Sequence, residues 1–226
     1  MEDKARGLTR REMLGMAAGI AGLAMGSSAI AQEAARFVTP EVMLGPFYPI
    51  LKPLDRDADL TMVKGHKKAA TGEVIHVTGR VLNQNGQPVS GAEIEIWQAN
   101  SKGRYAHPSD TNTTPLDEDF QGFAVIKTDS LGRYRFKTIK PGAYPVSPTE
   151  LRTPHIHFDV KGKQNRLTSQ MFFPGEPLNN KDMLYLDVQK NYPKEYTAVV
   201  AAKLPPTKEI AAAETLFSWD IILING

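Results

Sequence analysis

The chain has 226 residues, of which 41% are hydrophobic and 23% charged, and it contains no cysteine. These values exclude disordered, collagen-like and disulfide-stapled chains, as well as thiolate nucleophiles and cysteine-ligated metals. The 27 basic and 25 acidic residues nearly cancel, and we therefore expect no nucleic-acid partner. Any bound metal must be held by His, carboxylate or Tyr side chains.

The first 31 residues have the layout of an export signal. The basic residues Lys4 and Arg6 are followed by the pair Arg10-Arg11. An uncharged run then covers 13–30, and Ala29-Ile30-Ala31 has the spacing of a cleavage site. The alternative is a membrane anchor, but the run is rich in Gly, Ala and Ser and only weakly apolar. The paired arginines resemble the twin-arginine signal. We predict a twin-arginine-type signal peptide at 1–31, a periplasmic or secreted protein, and no stable membrane anchor after cleavage.

The rest of the chain has the pattern of an all-β protein. Residues 32–71 lack periodicity and predict an extended arm. From Val74 onward polar and apolar residues alternate in short runs separated by turn residues, which predicts a β-sandwich over residues 72–226. The runs are 74–81, 92–97, 122–128, 132–138, 155–161, 167–173 and 218–224. An Asn85-Gly86 turn predicts that the first two strands form a hairpin.

Helical signals are few and short. Residues 181–191 and 195–203 are predicted to form short turns, and the alanine-rich stretch 207–216 is a further candidate helix. The predicted fold class is all-β, with a β-sandwich core, an extended N-terminal arm and short helical turns.

The strongest local signal for chemistry is a pair of histidines. His155 and His157 are two positions apart in a predicted strand, so both imidazoles face one side while the residues between and after them face the core. They are either a metal-binding pair or two half-exposed histidines. Asp159 alternates onto the same face, as a His-His-carboxylate Fe(II) oxygenase requires. Tyr105 and Tyr144 lie in turn-rich loops, where each is either a functional residue or a surface or packing aromatic.

Five segments in chain order carry a family resemblance. They include GPFYP at 45–49, RTPHIHFDV at 152–160 and LTSQMFF at 167–173, with longer matches at 77–110 and 116–145. Together they resemble the intradiol ring-cleavage dioxygenases, most closely the protocatechuate 3,4-dioxygenase type and its iron-bearing subunit. The resemblance implies non-haem, Fe(III)-dependent cleavage of a catechol-type diol by molecular oxygen to a cis,cis-muconate-type diacid.

The resemblance also implies roles for individual residues. The iron ligands would be Tyr105, Tyr144, His155 and His157. Tyr144 would in addition take up a substrate proton, Arg152 would stabilise charge on the ring, and Gln170 would lie beside Arg152. Substrate contacts would come from Pro46, Tyr48, Val146, Arg152 and Gln170.

Two departures from the family pattern bear on the substrate. Val146 stands where the family often has Trp, and Met43-Leu44 stand where Thr-Glu is common, which favours an apolar or larger catechol over protocatechuate. The sequence is compatible with a homo-oligomer. The alternative function is a non-catalytic, transthyretin-like β-sandwich that binds a partner, because residues 77–98 resemble such modules as well. Those modules do not require two tyrosines and a His-x-His pair together.

Overall fold

A computed structural model describes residues 37–226, so the predicted export signal at 1–31 and residues 32–36 of the arm lie outside the described residues. The strands are β1 (Val74–Asn83), β2 (Glu93–Trp97), β3 (Phe123–Lys127), β4 (Arg133–Ile139), β5 (Tyr144–Pro145), β6 (Leu151–Arg152), β7 (His155–Lys161), β8 (Arg166–Phe172), β9 (Ala202–Leu204), β10 (Thr215–Ser218) and β11 (Ile221–Leu223). The helical segments are α1 (Met183–Asn191) and 3₁₀ turns at Asn179–Lys181 and Tyr196–Val199. None of the helices in residues 37–226 has the length and hydropathy that a bilayer-crossing segment needs.

The strands form two sheets that pack face to face. The first has β1 at its centre, with β4 antiparallel on one side and β10 and β11 parallel on the other, and β9 pairs with β10. The second sheet has the order β3-β2-β7-β8 and is antiparallel throughout. A short ribbon pairs β5 with β6. The predicted all-β sandwich with short helical turns is confirmed.

The core lies between the two sheets and follows the period-two pattern. β1 contributes Ile75 and Val77, and β7 contributes Ile156 and Phe158, all fully buried. A fully buried Ile or Phe contributes about 1.5–3 kcal/mol relative to an exposed one. Because β7 faces inward at these even positions, its odd positions face out of the second sheet. That outer face carries the histidines.

The predicted hairpin between the first two strands is wrong. The turn at Asn83–Gln87 forms, and Val89 N–H donates to the Val81 carbonyl at 2.9 Å. The chain then crosses to the second sheet, where β2 pairs with β3 and β7. β1 cannot accept β2 because its two edges are already paired with β4 and with β10 and β11.

The alanine-rich stretch 207–216 is not helical. It forms turns up to residue 214, and β10 begins at Thr215 in parallel register with Ile75. So short a segment is only a marginal helix, and strand pairing outweighs its propensity. The strand predicted at 218–224 is two strands along one edge of β1. The break falls at Asp220, whose carboxylate accepts from the backbone N–H of Arg80.

The described part of the arm, residues 37–71, crosses both sheets without regular structure. Thr39 N–H donates to Ile222, Val42 N–H donates to Thr168, and Leu60 N–H donates to Lys137. These backbone bonds hold the arm against the sandwich. The middle of the arm passes over the outer face of the second sheet, beside β7.

Candidate active site

Two imidazoles meet on the outer face of the second sheet. His155 and His157 on β7 are both buried, and their Nε2 atoms lie 3.1 Å apart. The Nδ1–H of His155 donates to the Thr153 carbonyl at 2.7 Å, which leaves the Nε2 lone pair of His155 free. The ring of His157 stacks on Trp97, with 4.7 Å between centroids and 10° between planes.

Tyr105 reaches this pair from the loop that follows β2, and Tyr144 reaches it from the start of β5, whose preceding loop lies against the first one. Gly103 has a φ of +75°, and a Cβ there would lie 2.1 Å from the Ala143 carbonyl oxygen, so only glycine permits the approach. The backbone N–H of Tyr105 donates to Asp110 at 2.7 Å, which fixes the first loop. The two phenol rings then meet edge to face, 5.3 Å apart.

The four side chains form one buried cluster, which we call the His-Tyr cluster: Tyr105, Tyr144, His155 and His157. The Tyr105 hydroxyl lies 3.1 Å from Nε2 of His157, and the Tyr144 hydroxyl lies 3.5 Å from Nε2 of His155. Residues 52 positions apart in one contact and 11 apart in the other thus direct oxygen and nitrogen atoms at one point.

Burial keeps this cluster neutral. It raises the pKa of Tyr105 well above the ordinary value, and the neighbouring Tyr144 adds to the effect. The pKa of Tyr144 is also raised by burial, although the Arg152 charge acts in the opposite direction. For His155 and His157, burial lowers the pKa well below the ordinary value, and the Arg152 charge lowers it further. The imidazoles are therefore uncharged and the phenols protonated near neutral pH.

Arg152 and Gln170 flank the cluster. Arg152 on β6 pairs directly with Tyr144 on β5, and Gln170 on β8 pairs directly with His157 on β7. Both are buried, and the Arg152 guanidinium donates to Gln170 Oε1 at 2.5 Å. The Gln170 amide donates in turn to the Met43 carbonyl at 3.0 Å, which connects the arm to the site.

The arm covers the cluster with its GPFYP segment. Gly45 lies over His157, and a Cβ at Gly45 would be 3.3 Å from His157 Cε1. The ring of Phe47 lies 4.7 Å from that of Tyr105 and meets Tyr144 edge to face at 5.9 Å. Pro46, between these two residues, is exposed. The arm therefore restricts access to the His-Tyr cluster.

The two other predicted substrate contacts lie at the margin of the site. The Tyr48 hydroxyl donates to Glu95, and its ring meets Trp97 edge to face at 5.1 Å, so the structure directs that hydroxyl away from the cluster. Val146 follows β5, two residues after Tyr144, and its side chain is 48% exposed.

Asp159 does not join the histidines. Its carboxylate accepts from Arg166 Nε at 2.8 Å and from the Thr168 hydroxyl at 3.0 Å. Among residues 37–226, no three His, Cys, Asp or Glu side chains are grouped closely enough to hold a metal. The structure therefore gives no support to the His-His-carboxylate alternative, and tyrosine supplies the oxygen atoms that meet the histidines.

Two residues of the site had no part in the sequence analysis. Trp97 supports His157 from β2, and Asp182 binds Arg152 through Nε at 2.8 Å. A signal for Asp182 does exist, because Asp is a preferred residue immediately before a helix. Nothing in the sequence connects that helix cap with Arg152, which lies 30 residues earlier.

The fold and the site together define a class of protein. It is a β-sandwich with a buried cluster of two imidazoles and two phenols on the outer face of one sheet, flanked by a buried arginine.

A model of the family described as Dioxygenase matches residues 43–224. The chain is 48% identical to a protocatechuate 3,4-dioxygenase beta chain from Burkholderia cepacia over 60% of this chain and 58% of that protein. It is 32% identical to a catechol 1,2-dioxygenase from Acinetobacter lwoffii over 65% of this chain and 50% of that protein. The chain thus spans between half and three fifths of the length of these two curated relatives.

Solved structures agree on the fold. The dioxygenase domain of a dioxygenase carbohydrate-binding protein fusion from Streptomyces sp. SirexAA-E superposes with a TM-score of 0.61 and 25% identity, covering 84% of this chain and 99% of that one. A hydroxyquinol 1,2-dioxygenase from Pseudomonas putida DLL-E4 has a TM-score of 0.64 and 18% identity, covering 99% and 79% of the two chains. The chain belongs to the intradiol ring-cleavage dioxygenases, and the family assignment made from the sequence is confirmed.

Proposed function

We propose that the protein is a non-haem Fe(III) enzyme that cleaves a catechol-type diol between its two hydroxylated carbons. Both atoms of molecular oxygen enter the product, a cis,cis-muconate-type diacid. One observation carries this proposal: two imidazoles and two phenols, with no carboxylate among them, meet in a buried cluster. Membership of the family and the names of the relatives support the reaction class.

The donor atoms fit a ferric ion. Ligands bound about 2.1 Å from one ion, at right angles to each other, lie about 3 Å apart. The 3.1 Å separations that join His155, His157 and Tyr105 agree with this spacing. The phenols have raised pKa values, so a strong Lewis acid is needed to ionise them, and a trivalent ion prefers hard, anionic oxygen donors. We assign Tyr105, Tyr144, His155 and His157 as the ligands.

Bound Fe(III) would accept electron density from a catecholate, which makes a ring carbon open to attack by oxygen. In its ionised form the phenol oxygen of Tyr144 can accept a proton from the substrate, and the charge of Arg152, which pairs with Tyr144 across β5 and β6, favours that ionised form. The guanidinium of Arg152 then stabilises negative charge on the substrate oxygens as it grows. Gln170 holds that guanidinium and, through Met43, the arm that restricts water.

The residues at the margin of the site favour a catechol with an apolar substituent. Val146 presents an exposed aliphatic side chain two residues beyond Tyr144, and Leu44 in the arm is also exposed. Neither side chain offers a charge to a substrate carboxylate. We propose that the substrate carries an apolar or larger substituent, with Pro46 and the ring of Tyr48, rather than its hydroxyl, as further contacts. The twin-arginine pair supports export, so we also propose that the enzyme acts in the periplasm or outside the cell.

A visible spectrum followed by product analysis tests the proposal. Purified protein loaded with Fe(III) should be red from tyrosinate-to-iron charge transfer, and catechols with apolar substituents should shift the band. Each should then be converted to a diacid in the presence of oxygen. A yellow semialdehyde product, which reports cleavage outside the diol, would overturn the mechanism. Binding of catechols without any turnover would favour the non-catalytic transthyretin-like alternative.

A further inference from the structure

Asp182 lies beside Arg152, and its side chain forms hydrogen bonds with several different parts of the chain. Its carboxylate is fully buried and accepts four hydrogen bonds. Oδ1 accepts from the backbone N–H groups of Leu184 and Tyr185 at 2.9 and 3.0 Å, which caps helix α1. Oδ2 accepts from Arg152 Nε and from Thr153 N–H, each at 2.8 Å. One carboxylate therefore joins the start of α1 to the end of β6.

Both bonds to Oδ2 lead into the site. The guanidinium that Asp182 holds at Nε is held at a second nitrogen by Gln170, so its plane is fixed from two sides. These contacts occupy two of the five N–H groups of an arginine and leave others for a substrate oxygen. The backbone N–H of Thr153 donates to Asp182, and the backbone carbonyl of the same residue accepts from His155 Nδ1 at 2.7 Å. The orientation of His155 thus also depends on the segment that Asp182 holds.

We propose that Asp182 is a positioning residue that fixes the guanidinium of Arg152, and through Thr153 the ring of His155, relative to helix α1. This inference rests on the function proposed above. A helix cap alone needs only Oδ1, and Ser or Asn would serve it equally well. The second oxygen is the part of Asp182 that a purely structural role leaves unexplained. A side chain that orients a site residue typically changes activity by about ten- to a hundred-fold when it is removed.

Two variants separate the cap from the positioning role. Asp182→Asn keeps the shape of the side chain but replaces one carboxylate oxygen by an NH₂ group, which donates hydrogen bonds. Two of the four groups that donate to the carboxylate therefore lose their acceptor. Asp182→Ser retains a cap for α1 and has no second oxygen for Arg152, and it provides a second probe if the first folds poorly. Val188→Ala is the matched control, because Val188 is buried in the same helix but packs in an apolar cluster with Phe172 and Val199.

We expect Asp182→Asn and Asp182→Ser to lower kcat per bound iron by about ten- to a hundred-fold with a smaller change in KM. Val188→Ala should change kcat by less than about twofold, since it removes only packing. In an Arg152→Met background, Asp182→Asn should lower kcat by less than about threefold more, because Arg152 is already absent and only the indirect route through Thr153 to His155 remains. A full, multiplicative loss in that background would overturn the proposal, as would an unchanged kcat in the single variants.

Crystal structures supply a measurement that needs no turnover. In Asp182→Ser the Arg152 guanidinium should leave Gln170 Oε1, whereas in Val188→Ala it should keep that contact. A guanidinium that stays in place in Asp182→Ser would overturn the positioning role. If the wild-type protein cleaves no catechol, the proposed function fails, and the crystal structures still decide whether Asp182 positions Arg152.

Discussion

The hydroxyl of Tyr105 lies 3.1 Å from Nε2 of His157, although the two residues are 52 positions apart in the chain. Strand pairing brings them together. Trp97, the last residue of β2, is in direct register with His157 on β7, and its indole stacks on the imidazole. The loop that leaves β2 therefore starts beside His157 and carries Tyr105 back to it.

Removing either phenol hydroxyl should change the colour of the iron-loaded protein. Tyr105→Phe and Tyr144→Phe each delete one of the two proposed phenolate donors, so the visible band should weaken and shift, and the affinity for Fe(III) should fall by about ten-fold or more. Tyr192→Phe is the matched control, because Tyr192 is exposed at the end of α1. Titration with Fe(III) followed by absorbance and metal analysis checks this. A full-strength band in both site variants would remove tyrosine from the ligand set.

Gly45→Ala should perturb the site from the arm. The new Cβ would lie 3.3 Å from His157 Cε1, and the residue would also keep an unfavourable φ of +75°. We expect a shifted visible band and a loss in kcat of about three- to ten-fold, because small displacements of site residues are costly.

Gly65→Ala separates the two effects of that change. Gly65 also has a left-handed φ, +90°, but a Cβ there meets nothing within 4 Å. Both variants should therefore lose about 1–2 kcal/mol of stability, measured by urea unfolding. Only Gly45→Ala should change the spectrum and kcat. Equal effects of the two variants on kcat would show that contact with His157 is irrelevant.

Glu95 should give the folded protein an acid-sensitive contribution to stability. Burial acts to raise the pKa of its carboxyl, but hydrogen bonds from Lys52 and Tyr48 outweigh burial and hold the pKa below its ordinary value. A lowered pKa in the folded state stabilises the protein above the unfolded-state pKa, and this contribution is lost as pH falls through the folded-state pKa.

We therefore expect Glu95→Gln to destabilise the protein at about pH 7 and to have a smaller effect at about pH 3, because the contribution of the carboxylate is lost progressively as pH falls from its unfolded-state pKa toward its lower folded-state pKa. The control is Glu93→Gln on the same strand, because Glu93 is more exposed and its ion pair with Lys127 is longer, at 3.7 Å. Urea unfolding of both variants at the two pH values measures the difference. A loss for Glu95→Gln that does not vary with pH would contradict this account.

Export should depend on the paired arginines. Replacing Arg10-Arg11 by Lys-Lys should retain the protein in the cytoplasm with residues 1–31 still attached, since the twin-arginine signal is read by a receptor rather than by charge alone. Cell fractionation and N-terminal sequencing check this. Normal export of the double variant would indicate the general secretory route.

The pattern of residue types along the chain was sufficient to predict the β-sandwich and the histidine half of the site. Alternation of period two indicated which face of β7 enters the core, and the same alternation put His155 and His157 together on the opposite face. That relationship is local, because two residues of one strand share a face in any sandwich. The tyrosines were named through motifs of the family rather than from their spacing.

Pairing of strands, and contacts between distant segments, depend on which edges and faces are already occupied, and no local pattern contains that information. The hairpin of β1 and β2 was predicted from an Asn-Gly turn and fails because both edges of β1 are taken by other strands. The alanine-rich stretch 207–216 has helical composition, yet it forms turns up to residue 214 and then enters β10, because pairing with β1 begins at Thr215. Asp182 carries the helix-cap signal in its sequence, but its bond to Arg152 exists only because the folded chain places the start of α1 against the end of β6.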